Sequence, residues 1–171
     1  SHYRVGNRPG VTVECKEGVC RYRNHIKIID LPGIYSLSPN SAEEAITRDY
    51  ILNENPDLIL NIVDATNLER NLYLSTQLAE TGIPMVIALN MIDALEDSGL
   101  DIDYKKLSDI SGMEIVPISA SRGIGIRELT DAAERTAGQR RHAAKKAVNA
   151  DMRYKLIKAA VSKCVTKTGI N

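Results

Sequence analysis

Apolar and polar positions follow two different periods along the chain. Short apolar runs predict strands at 11–16, 20–29, 58–63, 83–89 and 114–118. Apolar positions spaced three or four apart predict helices at 42–53, 68–81, 104–111, 126–137 and 149–168. Strands that alternate with helices indicate an α/β fold with a mainly parallel sheet flanked by helices. A tight turn at Glu17 and Gly18 makes the first two strands the one predicted antiparallel pair.

The C-terminal part has a different pattern. Residues 138–144 are polar and predict a boundary between a first domain at 1–137 and a linker with the first helix of a second, helical domain at 138–171. The last helix carries one apolar stripe, made of Leu156, Ile157, Ala160, Val161, Cys164 and Val165. Such a stripe needs a partner, which the chain hardly supplies, so we expect the sequence to be cut from something longer.

Composition narrows the function classes. The 171 residues contain 22 basic and 22 acidic side chains, so no nucleic-acid partner is expected, and the basic cluster at 135–146 predicts a solvated helix or linker. No apolar run reaches the length of about 18 residues that a membrane helix needs, and no signal-peptide pattern opens the chain, so this piece is predicted to be soluble and cytoplasmic.

The three cysteines form no Cys-x-x-Cys pair, which favours free thiols. Cys15 and Cys20 are expected to face each other across the predicted hairpin, and packing is favoured over metal binding.

Three short strings each follow a predicted strand. They are Asp-Leu-Pro-Gly at 30–33, Asn-Met-Ile-Asp at 90–93 and Ser-Ala-Ser at 119–121. The carboxyl ends of parallel strands open onto a ligand crevice. Each string alone has an ordinary explanation, such as a Pro-Gly turn or a helix cap. All three in this order predict a guanine-nucleotide site.

The first string suits phosphate and metal. The carboxylate of Asp30 can hold Mg²⁺ through a water, and the backbone at Gly33 can approach a terminal phosphate closely.

The other two strings suit the base. Asp93 can accept hydrogen bonds from N1–H and the exocyclic N2–H₂ of guanine, a pairing that adenine does not offer. The backbone amides of the third string can bind O6 of the same base. The predicted base site is therefore made of Asn90, Met91, Asp93, Ser119, Ala120 and Ser121. Helix capping by Asn90 or Asp93 is the alternative.

Three longer stretches are distinctive: Val-Gly-Asn-Arg-Pro-Gly-Val-Thr-Val-Glu at 5–14, Asp-Leu-Pro-Gly-Ile-Tyr-Ser-Leu at 30–37, and Val-Asp-Ala-Thr-Asn-Leu-Glu-Arg-Asn-Leu at 63–72. From residue 5 to about 137 the chain resembles the cytoplasmic GTPase domain of the FeoB family of prokaryotic ferrous-iron transporters, and 151–165 resembles the start of the helical domain that follows. The resemblance implies a Ras-like P-loop GTPase fold and a slow GTPase that regulates ferrous iron transport.

The resemblance also implies cofactors, partners and a location. GTP or GDP and Mg²⁺ are the expected ligands, with K⁺ as a further candidate. Thr12 would be the switch threonine that ligates Mg²⁺ and senses the γ-phosphate; the alternative is a β-branched strand residue. The expected partner is a membrane transport domain of the same polypeptide, at the cytoplasmic face of the prokaryotic inner membrane.

The sequence departs from the GTPase pattern in three places. No Gly-x-x-x-x-Gly-Lys-Ser/Thr loop is found, so the first strand and the P-loop are expected to be missing upstream of Ser1. Their place would be taken by a lost N-terminal segment, a bound peptide or a strand swapped within a homo-oligomer. Met91 replaces a lysine common in GTPases, which implies weaker binding and faster exchange. Ile34 replaces a water-orienting glutamine, which implies slow turnover.

No general base is assigned, since Glu43 and Glu44 suit the first turn of a helix. Two other functions remain open. One is an interaction module that has lost nucleotide binding. The other is a soluble GTPase of the ribosome-assembly type, which 151–165 disfavours because it lacks the basic, glycine-rich character of an RNA-binding appendage.

Overall fold

The computed structural model describes residues 2–8, 11–38 and 40–169, with side chains from Lys16 onward. The chain forms two compact units, Ser1–Pro56 and Asp57–Asn171. Within the described residues, none of the helices combines the length and apolar character needed to cross a bilayer.

The first unit holds an antiparallel sheet and one helix. Its strands are β1 (His2–Arg8), β2 (Val11–Val19) and β3 (Lys27–Asp30), in the order β1-β2-β3. The helix is α1 (Ala42–Asn53). Ser41 caps α1 by accepting from the amide of Glu44, whose carboxylate accepts from the amide of Asn40. These two hydrogen bonds at the N-terminus of α1 explain why the helix begins where the sequence predicted.

The predicted turn at Glu17 and Gly18 is wrong. Both residues lie inside β2, opposite Ile29 and Ile28, and the chain turns at 20–26 instead. Glu17 forms an ion pair with Lys27 at 2.9 Å, and the amide of Cys20 donates to the carbonyl of Ile26. These contacts favour the longer loop, so most of the strand predicted at 20–29 is turn.

The predicted facing of Cys15 and Cys20 is also wrong. Cys15 lies within β2 and Cys20 directly follows the same strand, so the two cannot face each other across a hairpin.

The second unit contains a parallel sheet. Its strands are β4 (Ile59–Asp64), β5 (Met85–Asn90) and β7 (Glu114–Pro117), in the order β4-β5-β7. Its helices are α2 (Leu68–Glu80), α3 (Ile92–Asp97), α4 (Tyr104–Ser111), α5 (Ile126–Ala137) and α6 (Ala150–Cys164). Two short antiparallel strands complete it, β6 (Leu100–Ile102) and β8 (Val165–Lys167).

The central strand β5 organises the core. Its residues 86–89 are completely buried. Val86 and Ala88 pack with Leu129 and Ala132 of α5 on one face of the sheet. On the opposite face Ser75 of α2 donates a buried hydrogen bond to Asn61 of β4. Helices thus pack on both faces, as the sequence predicted, although Leu60 and Ile62 of β4 are 39% and 56% exposed.

The last helix does find partners within the chain. The prediction that the chain hardly supplies a partner for its apolar stripe is wrong for Ile157 and Cys164, which are buried where α6 packs on α2 and α4. Leu156 of the same stripe is 57% exposed. The predicted end at residue 168 is wrong as well, since α6 ends at Cys164 and the following residues pair with β6. The apolar pattern did not include Arg153, although this arginine is buried on the same helix.

Arg153 joins α6 to α2. Its side chain is only 3% exposed and lies 2.7 Å from a carboxylate oxygen of Glu80. It also donates to the hydroxyl of Thr76 at 2.9 Å and sits over the ring of Tyr73. Tyr73 in turn stacks on Tyr154 with ring centroids 4.8 Å apart. A charge this deeply buried requires such partners.

The segment that leads into α6 is tied to the same helix. Residues 140–149 form no regular element, yet the amide of His142 donates to the carbonyl of Gly82 and that of Lys145 to the carbonyl of Glu80. Gly82 has a φ of +76°, and a Cβ there would lie 2.1 Å from the carbonyl oxygen of His142. Only glycine fits this approach.

Candidate functional site

The second string forms a sharp turn between β5 and α3. Asn90 is the last residue of β5, and Met91 adopts a left-handed conformation with φ 67° and ψ 32°. A non-glycine residue in this region is uncommon and costs about 1–2 kcal/mol. Met91 is 40% exposed, and Asp93 lies in the first turn of α3.

The third string forms a tight loop after β7. Ser119 and Ile124 exchange two backbone hydrogen bonds, each of 3.0 Å. Within the loop the amide of Arg122 donates to the carbonyl of Ser119. Ser119 is buried, while Ala120 and Ser121 are exposed. The loop is therefore a closed, hydrogen-bonded structure in which residues 120–124 are exposed to solvent.

The two loops contact each other. The side-chain oxygen Oδ1 of Asn90 accepts a hydrogen bond of 3.0 Å from the amide of Ala120. The carboxylate of Asp93 forms an ion pair of 3.2 Å with Nε of Arg122. The structure thus brings Asn90 and Asp93 together with the 119–122 loop, as the sequence predicted for a base site.

Helix capping explains neither Asn90 nor Asp93 of the second string. The cap residue of α3 is Met91, and among the described residues no side chain donates or accepts the capping hydrogen bond of α3. Asn90 reaches instead to the neighbouring loop, and Asp93 to Arg122. Their side chains are thus used for contacts between loops.

The predicted phosphate residues lie in the first unit. Asp30 ends β3 with an exposed side chain, and Gly33 is exposed, with no atom within 4 Å of the place where a Cβ would stand. The carbonyl of Pro32 accepts from the hydroxyl of Thr47, which ties this loop to α1. The backbone of Thr12 lies in β2 opposite Asn7, and its side chain lies outside the described part.

The donor chemistry of these residues suits magnesium. Among the side chains that the structure describes, no three His, Cys, Asp or Glu residues gather into a metal-binding group. A hydrated Mg²⁺ does not need one, because it binds through one or two protein oxygens and keeps several waters. The exposed carboxylate of Asp30 fits that mode.

Sequence reasoning missed two roles. Asn90 supports the third string as well as belonging to the second, and Arg122 was not part of any pattern. The first could have been found, because side-chain amides often bridge to neighbouring backbone. For Arg122, an exposed arginine after Ser121 carries no signal that its partner lies 29 positions earlier, at Asp93.

Comparison with known proteins identifies the family. Residues 1–133 match the family model described as Ferrous iron transport protein B. The Fe(2+) transport protein A/Fe(2+) transporter FeoB fusion protein of Porphyromonas gingivalis is 54% identical over 133 residues, which are 77% of this chain and 16% of that protein. The Fe(2+) transporter FeoB of Salmonella typhimurium is 49% identical over 137 residues, 77% of this chain and 18% of that protein. The chain thus spans less than a fifth of these relatives.

Solved structures agree with the fold. A GDP-bound mutant of S. thermophilus NFeoB is 48% identical, with a TM-score of 0.76 over 93% of this chain and 60% of that chain. The cytosolic domain of L. pneumophila FeoB is 32% identical, with a TM-score of 0.79 over 96% of this chain and 89% of that chain. These matches confirm the predicted Ras-like α/β fold class. The chain belongs to the FeoB family of ferrous-iron transport proteins and corresponds to its N-terminal G domain.

Proposed function

We propose that the chain is a guanine-nucleotide-binding, GTP-hydrolysing domain that regulates ferrous iron transport by a membrane domain of the same polypeptide. The observation that carries the proposal is the hydrogen bond from the amide of Ala120 to Asn90, because it joins the two loops that a guanine base needs. The S. thermophilus relative bound to GDP supports the same ligand class. Membership of the FeoB family disfavours the ribosome-assembly alternative.

The proposed base site assigns a task to each loop. Asp93 accepts from N1–H and N2–H₂ of guanine, which selects guanine over adenine. The amide of Ser121 would donate to O6, because the amide of Ala120 already donates to Asn90 and so holds the loop in place. Ser119 is buried in the same loop. Met91 lies exposed at the turn, where its flexible apolar side chain can cover the base or ribose.

The proposed phosphate site involves the first unit. Asp30 and Thr12 would hold Mg²⁺, Asp30 through a water, and the backbone at Gly33 would approach the terminal phosphate. When bound, Mg²⁺ supplies positive charge against the phosphate oxygens. K⁺ is a further proposed cofactor. The side chain of Ile34 cannot orient a water, so the proposed GTPase is slow and depends on positioning and backbone dipoles.

The proposed regulatory role rests on the relatives, which are Fe(2+) transporters more than five times as long as the segment that matches this chain. We assign 1–137 to the G domain and 138–171 to the linker and the first helix of a regulatory domain. Nucleotide binding and hydrolysis would reorder the segments around Thr12 and 30–50, and the change would pass to a membrane domain at the cytoplasmic face.

The test is a titration of the chain with fluorescent GDP in the presence of Mg²⁺, with unlabelled GDP and ADP as competitors. We expect GDP but not ADP to displace the probe. Asp93→Ala is expected to weaken binding by about 1–3 kcal/mol, the scale of a lost charge-assisted pairing. Asp97→Ala is the matched control, because it removes an exposed carboxylate from the same helix. Binding that Asp93→Ala leaves intact would remove Asp93 from the site. Failure of a version extended at its N-terminus with a strand and P-loop to bind GDP would favour an interaction module.

A further inference from the structure

The carboxylate proposed to recognise guanine already has a partner in this structure. Nε of Arg122 lies 3.2 Å from Oδ2 of Asp93, with side chains 61% and 24% exposed. Arg122 belongs to the same 119–124 loop whose amide at Ala120 contacts Asn90. One loop thus engages both polar residues of the turn after β5.

Arginine and guanine offer Asp93 the same kind of donor. A guanidinium group presents neighbouring N–H groups in a plane, a fork that matches a carboxylate. The N1–H and N2–H₂ edge of guanine is built from the same N–C–N unit and also presents two parallel donors. In this structure Nε of Arg122 lies against Oδ2 of Asp93, one of the two oxygens that guanine would need, so the two ligands compete for that oxygen.

We propose that Arg122 is an internal stand-in for the guanine base, and that its displacement from Asp93 sets the affinity and the association rate of the nucleotide. The inference rests on the proposed function, since it concerns the same base site. It makes Arg122 an affinity-determining residue that acts against binding.

The loop can release Arg122 without rearranging. Its backbone is closed by the paired hydrogen bonds of Ser119 and Ile124, and the contact with Asp93 is made by the side chain alone. Rotation of the long arginine side chain into solvent is therefore sufficient to open the carboxylate. Ser119, Ala120 and Asn90 keep their positions while this happens.

The expected effect is modest. An exposed ion pair contributes little, so the closed arrangement is favoured only a few-fold over the open one. Affinity for a ligand that binds the open arrangement falls by the fraction of molecules in which that arrangement is present. Removing Arg122 should therefore strengthen GDP binding by about two- to fivefold.

The test compares Arg122→Gln with the matched control Arg127→Gln. Arg127 is an exposed arginine at the start of α5, so the control makes the same change in net charge. We expect Arg122→Gln to bind fluorescent GDP more tightly and to associate faster, and Arg127→Gln to behave like the parent. Weaker binding by Arg122→Gln would mean that Arg122 contacts the nucleotide, and unchanged binding would mean that it does not compete; either result overturns the inference.

A measurement without nucleotide separates this inference from the proposed function. The chemical shift of Nε–H of Arg122 in a ¹⁵N NMR spectrum should differ from that of an arginine without an acidic partner and move toward that value in Asp93→Asn. An Nε–H resonance that does not change in Asp93→Asn overturns the inference even if the parent chain binds GDP. Failure of the parent, Arg122→Gln and Arg127→Gln all to bind GDP overturns the proposed function and the inference with it, whereas equal binding by all three overturns the inference alone.

Discussion

The side chain of Asn90 accepts a hydrogen bond from the backbone amide of Ala120, 30 positions further along the chain. Asn90 ends β5 and Ala120 follows β7, which lies beside β5 in the sheet. One side chain therefore joins the two loops. It adds to the backbone hydrogen bond from the amide of Ile118 to the carbonyl of Leu89, which joins the same two segments.

Replacing Asn90 should loosen both loops. We expect Asn90→Ala to lower the free energy of unfolding by about 1 kcal/mol, the usual net value of one hydrogen bond. We also expect the free energy of GDP binding to fall by more than this loss of stability. Urea unfolding and a GDP titration measure the two effects. Asn90→Asp keeps an oxygen for the amide of Ala120 and serves as the control. Equal losses in both variants would show that the bond to Ala120 is not responsible.

Changing the acceptor at Asp93 should change the preferred base. Asp93→Asn presents an amide whose donor suits the exocyclic O2 of xanthine in place of the N2 amino group of guanine. We expect this variant to bind xanthosine diphosphate better than GDP in a competition titration. A preference for GDP that survives in Asp93→Asn would contradict the proposed pairing.

Glycine at position 125 is required for steric reasons. Its φ is +79°, and a Cβ there would lie 2.5 Å from the carbonyl oxygen of Pro117. Gly123 has a similar φ of +66°, with no atom within 4 Å of its Cβ position. We expect Gly123→Ala to destabilise the protein by about 1–2 kcal/mol through backbone strain, and Gly125→Ala by about 3 kcal/mol because the clash adds to that strain. Thermal or urea unfolding gives the comparison; equal losses would count against the clash.

The buried ion pair between Arg153 and Glu80 should be sensitive to loss of one partner. Arg153→Met leaves the carboxylate of Glu80 unpaired in a site where its side chain is only 19% exposed. We expect a loss of about 3 kcal/mol, because breaking a buried pair strands a charge. Adding Glu80→Gln should restore much of the stability in urea unfolding. A double variant as unstable as Arg153→Met would show that packing rather than charge dominates.

Cys164 should make the protein sensitive to alkaline pH. Burial raises the pKa of its thiol above the ordinary value near 9.0, with the carboxylate of Asp103 adding to the rise and Lys106 and Lys163 opposing it. The unfolded chain then releases this proton at a lower pH than the folded protein does, so stability falls as the pH rises from about 9. We expect the urea midpoint to fall less steeply above that pH in Cys164→Ala. Parallel pH profiles would contradict this assignment.

Local signals predicted most of the regular elements. The bounds of α1, α4 and α5 agree with the sequence prediction because Ser41, Asp103 and Gly125 mark their first turns. The parallel sheet was predicted from strands that alternate with helices. The second and third strings contact each other, because they follow the neighbouring strands β5 and β7; that they bind a guanine base stays a prediction.

Local sequence patterns could not predict contacts between residues that lie far apart in the chain. The strands β6 and β8 have three residues each and pair only because α6 returns to α4, which no local pattern announces. Arg153 was not counted in the apolar stripe, since arginine is normally exposed, yet its partner Glu80 lies 73 positions away. The left-handed Met91 is likewise imposed by the turn from strand to helix rather than by its side chain.

The attachment of α6 to α2 also governs how anything joined to the C-terminal end is held. The amides of His142 and Lys145 anchor the connecting segment to the end of α2, Arg153 clamps the helix itself, and β8 pairs with β6 beyond it. These contacts restrain the chain between residues 137 and 167 against the rest of the second unit. A reporter or domain fused after Lys167 should therefore keep a constant orientation relative to the parallel sheet. Its rotational motion should follow that of the whole unit and not that of a free tether.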